Sequence, residues 1–182
     1  MEGFSGAKSD DTALHLVRAL NAYIPKQGPL IGYANTEPVI QVLVSALKSK
    51  SENVRREAAS VLASRAKIAA KEKTRLPLED DAWDALFTLY DERLSDTSAR
   101  DKNEANIALA RMPITQARLT RLFEVMHRVQ DEMEKQNVVG LIGSFKTVDS
   151  RTELLRLLRE NFAGLRLEAQ KVTINAVSSY MP

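Results

Sequence analysis

EPVIQVLVSALKSKSENVRREAASVLASR, residues 37–65, is the stretch whose reading decides the fold. Pro38 suits a first helical turn, where a missing N–H leaves no hydrogen bond unmade. Val39, Leu43, Val44 and Leu47 then recur at helical spacing. A polar turn follows, and a second helix carries Val54, Arg55, Ala58, Val61 and Leu62. A hairpin of this kind cannot bury both of its faces alone, so it stacks on copies of itself. The expectation is an all-α chain, an α-α superhelix of about four helical hairpins behind an N-terminal helix.

Working outward, the same helical grammar covers the rest of the chain. Pro25, Pro29, Pro38, Pro77 and Pro113 fall at or near gaps between apolar patterns, at turns or first helical turns where proline costs least. Asp10 and Asp11 can cap a first helix carrying Leu14, Val17, Leu20 and Ile24, and a loop with Gly28, Pro29 and Gly32 follows it. Helices are then predicted over 37–50, 52–72, 78–94, 99–112, 115–130, 131–146, 150–162 and 164–181. The run Glu79, Asp80, Asp81 stands at a helix start, where the macrodipole favours negative charge. Residues 1–9 read as a flexible lead-in, and 10–182 as a single helical repeat domain.

An overlay supports repetition. Val54, Arg55, Glu57, Ala58 and Val61 align with Leu165, Arg166, Glu168, Ala169 and Val172, which lie 111 positions later, or three units averaging 37. Two intermediate copies are weaker: one has Lys102, Ala105 and Leu109, the other Lys135, Val138 and Ile142.

This pattern, with Pro opening the first helix and a Val-Arg pair starting the second, resembles the HEAT/armadillo superfamily over roughly residues 37–181. The resemblance implies a binding scaffold more often than an enzyme. It also implies an acid in each turn that bonds to the following arginine. The first unit has Ser49 there instead; Asp96 in the second unit and Glu160 in the fourth fit better. Some DNA glycosylases are built from similar repeats with an acid and aromatics in a basic cleft, roles that Trp83 and Asp84 would have to fill here.

Composition narrows the class. With 44% hydrophobic and 27% charged residues the chain can bury a core and keep a charged surface. Aromatics are only 5%, so closely packed Ala, Leu and Val helices fit better than a sandwich or barrel. No cysteine is present, which excludes disulfides, zinc–thiolate sites and cysteine nucleophiles. The N-terminus lacks the basic start and apolar run of a secretory signal, and a cytoplasmic or nuclear setting is expected. No Gly-x-Ser-x-Gly elbow, Walker loop or HExxH occurs, so the expectation is no enzyme, no cofactor and no metal. His15 and His127 lack ligand spacing, and Asp80, Asp81 and Asp84 read as helix-start acids before they read as a cation site.

Charge is segregated. From Lys48 to Arg75 there are nine Lys and Arg against three acids; from Glu79 to Glu104 there are nine acids against three bases. Two solvated faces attracting each other would explain this. A basic patch of Arg55, Arg56, Lys67 and Lys71 receiving an acidic peptide, or a nucleic-acid backbone, is the functional reading. Arg65 points into its helix's apolar stripe, so it either snorkels from the helix end or meets an acid of the neighbouring unit. Gly140 and Gly143 within a helical pattern suggest close approach of another helix. In the last helix Leu165, Ala169, Val172, Ala176 and Tyr180 form a core stripe, while Leu167, Ile174 and Met181 recur every seven residues on nearly the opposite side. That second stripe is expected to bind a partner protein or a second copy of the chain. The leading expectation is a non-catalytic scaffold that binds another protein; a nucleic-acid-binding module using helix 52–72 is the alternative.

Overall fold

A computed structural model describes residues 10–22, 36–96, 98–145, 147–161 and 167–178, and every regular element among them is an α-helix. The fold is an all-α assembly of helical hairpins in two compact units, Met1–Met112 and Pro113–Pro182. Among the described residues no helix is long and apolar enough to cross a membrane.

The first unit contains α1 (Asp10–Ala22), α2 (Glu37–Ala46), α3 (Glu52–Glu72), α4 (Glu79–Glu92) and α5 (Arg100–Leu109). Helices α2 and α3 form one hairpin, and α4 and α5 the next. First helix packs on first helix and second on second, and α1 covers α3. The reason lies in α3. Its apolar positions include Val54, Ala58, Val61, Leu62 and Ala69, all buried, and they wrap around more of the helix than one partner can cover. From α2 the core takes Ile40, Leu43, Ala46 and Leu47, while Val39 and Val44 are only half-buried. Trimming a side chain as fully enclosed as Leu62 or Leu86 to alanine would cost about 2–5 kcal/mol.

The loop between the hairpins is fixed at both ends by left-handed residues, Lys73 (φ 56°) and Leu78 (φ 50°), with Leu76 buried between them. At Lys73 the chain leaves α3 with Lys73 N donating to Ala70 O and Thr74 N to Ala69 O. That is the hydrogen-bond pattern that usually recruits glycine.

The second unit contains α6 (Gln116–Arg128), α7 (Glu132–Ser144), α8 (Val148–Asn161) and α9 (Leu167–Ser178). It follows the same plan: α6 pairs with α7, α8 with α9, and α7 packs on α9. Leu119, Leu122, Met126, Val138, Ile142 and Leu154 are buried in it. The cap of α6 is Thr115, whose side chain accepts from Arg118 N; that of α7 is Asp131, accepting from Met133 N and Glu134 N. Gly143 is buried, in keeping with close helix approach, but Gly140 is exposed and close packing does not account for it.

The helices lie within a few residues of the predicted ranges. Arg55 and Lys102, matched in the sequence overlay, occupy equivalent places in α3 and α5, so the first two hairpins are in register 47 positions apart, longer than the average of 37 over three units. The added length lies in α3, which runs 21 residues against 10 for α5, and in the loop after it. Ile24, Gly28, Pro29, Gly32 and the lead-in 1–9 lie outside the described residues.

Candidate functional site

The proposed basic patch divides on inspection. Arg55 is turned inward and is 7% exposed. Its Nε donates to Asp101 Oδ2 at 2.7 Å, and its Nη1 to the carbonyls of Ser49 and Lys50 at 2.7 and 2.9 Å. One guanidinium thus closes its own turn and bonds the next hairpin. The acid expected in the turn is replaced by turn carbonyls together with a carboxylate from the following second helix.

The second hairpin repeats half of this device. Lys102 is buried and its Nζ donates to the carbonyls of Leu94 and Asp96 at 3.1 and 2.7 Å. The Asp96 carboxylate, expected to hold the following cation, instead accepts from the Ser98 hydroxyl and backbone N–H. Those two bonds, the hydroxyl's foremost, hold its pKa below the ordinary carboxylate value. The side chain of Glu160 lies outside the description.

Arg56 is half-buried, and Lys67 and Lys71 are exposed; all three lie on one side of α3. Sequence reasoning missed what stands beside them. Shifting by the 47-residue register places Ile107 of α5 where Ser60 lies in α3, and Arg111, just beyond α5, where Ser64 lies. Ile107 is 42% exposed and Arg111 is exposed. The signal was available once Lys102 had been aligned with Arg55. Together these residues make a cationic ridge on the second helices of the first unit, with one branched apolar side chain in it.

In the second unit Ile174 is 44% exposed on α9, while Val177 is buried. Leu167 opens α9 but its side chain lies outside the description, as does Met181 altogether. Leu165 and Tyr180 are likewise outside the described residues.

Arg65 is only 1% exposed, so it does not snorkel to solvent. Its Nη2 donates to the Leu20 carbonyl at 2.9 Å, in the last turn of α1. Burial pulls its pKa below the ordinary arginine value. Its acceptor is a helix-end carbonyl, which is neither of the two expected outcomes, solvent or an acid of the neighbouring unit. That end of α1 has no basic residue of its own, and Arg65 supplies positive charge to the negative end of the dipole.

Trp83 is buried with its ring stacked on Phe87 (centroids 4.9 Å apart, 12° between planes), and the next residue, Asp84, is exposed. The two side chains therefore do not converge on one open cleft. His15 is exposed; His127 is exposed and lies 2.8 Å from Glu153 Oε1 and 2.9 Å from Arg156 Nη2. Among the described residues no group of three or more His, Asp or Glu side chains is placed to hold a metal ion. No protein-family model matches the chain, and no curated protein matches it either.

Proposed function

We propose that the chain is a non-catalytic scaffold of HEAT/armadillo-like helical repeats that binds a partner protein along the second-helix ridge of its first unit. Second helices packed on second helices, with a cation closing the turn before each, support the repeat assignment. The observation that carries the binding reading is the exposed Ile107 in line with Arg56, Lys67, Lys71 and Arg111. Cations steer an acidic partner, and burial of an apolar side chain supplies the affinity. Exposed Ile174 on α9 offers a second apolar contact, for which Leu167 and Met181 are the sequence neighbours in register.

Binding of a labelled acidic amphipathic peptide to the full chain tests this. Lys67→Glu with Lys71→Glu should abolish binding, and Ile107→Asp should weaken it at least tenfold, with the helical circular dichroism unchanged. The nucleic-acid reading draws on the same exposed lysines and predicts another pattern. A short duplex would bind with affinity falling steeply as salt rises, and Ile107→Asp would leave it unaffected. Duplex binding of that kind, with no peptide binding, would replace the scaffold reading.

A further inference from the structure

The opposite kind of surface lies on the first helices of the same unit. A groove of about 780 Å³ opens between α2 and α4, within the size range of sites that take a ligand. Its lining runs from Glu37 to Lys48 on one side and from Leu78 to Arg93 on the other, the full length of both helices. At ~1.5 Å per residue the ten residues of α2 give a trough about 15 Å long. Val44 and Ala85 are half-buried in its walls, and Leu89 is buried beneath.

Four exposed carboxylates border this trough: Glu37, Asp81, Asp84 and Glu92. Among the described residues the cations of the lining do not balance Glu37, Asp81 and Glu92: Arg55 is committed to Asp101, and Arg93 lies 3.7 Å from Asp96, which leaves Lys48 at one end. The acids are strung along the helices and do not converge on one point, which suits a row of positive side chains and not a single ion. A low-dielectric wall behind charges of one sign concentrates their field.

We infer that this groove is a second docking site, which takes a basic peptide segment of a partner protein carrying an apolar side chain for the Val44, Ala85 and Leu89 wall. The chain's own exposed cations Lys67 and Lys71 are poor occupants. They project from α3, which is held in place by α1, α2 and α5. The site stands apart from the ridge on α3 and α5, and the charge of its ligand is reversed.

Fluorescence anisotropy on the full chain with a labelled peptide of about twelve residues, built only from Lys and Leu, tests the inference; the matching Glu and Leu peptide serves as control. The basic peptide should bind, and its affinity should fall as salt rises. Asp81→Asn with Asp84→Asn should weaken it at least tenfold, as should Thr88→Arg, which places a cation in the groove mouth. Lys67→Glu with Lys71→Glu should leave it unweakened, which separates this site from the ridge. No binding at low salt, equal binding of the acidic peptide, or indifference to both groove variants would overturn the inference. Self-association in sedimentation that the groove variants abolish would assign the groove to a second copy instead, and overturn it too.

Discussion

Arg55 and Asp101 form a buried ion pair, Nε to Oδ2 at 2.7 Å, that joins the second helices of two successive hairpins. The Asp101 side chain is fully enclosed and its other oxygen accepts from Lys102 N at 3.0 Å. Removing one partner leaves the other charge buried and uncompensated, which costs about 3–5 kcal/mol. Asp101→Asn should therefore lower the unfolding free energy read from a urea titration by that much. Arg55→Met with Asp101→Leu should recover most of the loss, since the pair pays a desolvation cost that apolar residues avoid. A single variant as stable as the parent would remove the pair from its role as the link between hairpins.

How legible this was depends on the residue. Helix ranges were readable because prolines and acids mark the starts and the Val54, Ala58, Val61 series is helical. The solvent side of α3 was readable at Lys67 and Lys71. Arg55 was grouped with them by charge, although it lies seven positions before buried Leu62 and so belongs to the enclosed side of the helix. Its partner lies 46 positions away, and only the true register between hairpins brings Asp101 beside it. That register is contained in the overlay of Lys102 on Arg55, but an overlay marks equivalent places and not which side chains face each other. Ile107 was legible from the same overlay, at the place of Ser60; the partner of Arg65 was not, because a backbone carbonyl leaves no mark in a sequence.

Arg65 ties α1 to α3 through the Leu20 carbonyl. Arg65→Met keeps the bulk of the side chain but removes the donor, leaving a helix-end carbonyl short of a partner at a cost of about 1–3 kcal/mol. The loss should be local. Amide hydrogen exchange should accelerate in α1 more than in α4 or α5, and an unchanged rate in α1 would contradict the tie.

Lys73 occupies the left-handed position that ends α3, with a φ of 56°. Its Cβ crowds the following carbonyl there, a cost that glycine escapes. Lys73→Gly should raise stability by about 0.5–1 kcal/mol in chemical denaturation, even though it shortens an exposed side chain and removes a charge. A loss of stability would show that the lysine side chain contributes more than its backbone strain takes away.

In the second unit, Glu153 is held by Arg156, whose Nε donates to Oε2 at 3.0 Å and whose Nη2 donates to Oε1. Hydrogen bonding from Arg156, then from His127, outweighs partial burial and depresses the Glu153 pKa below its ordinary value of 4.5. A depressed carboxyl stabilises the fold above its unfolded pKa, and that contribution is lost as pH falls through the folded value. Glu153 is half-buried, but Arg156 and His127 are exposed and solvent screens the interaction, so the contribution is no more than about 1 kcal/mol. Glu153→Gln should accordingly lower stability slightly at pH 7 and make no difference at a pH well below the carboxylate range.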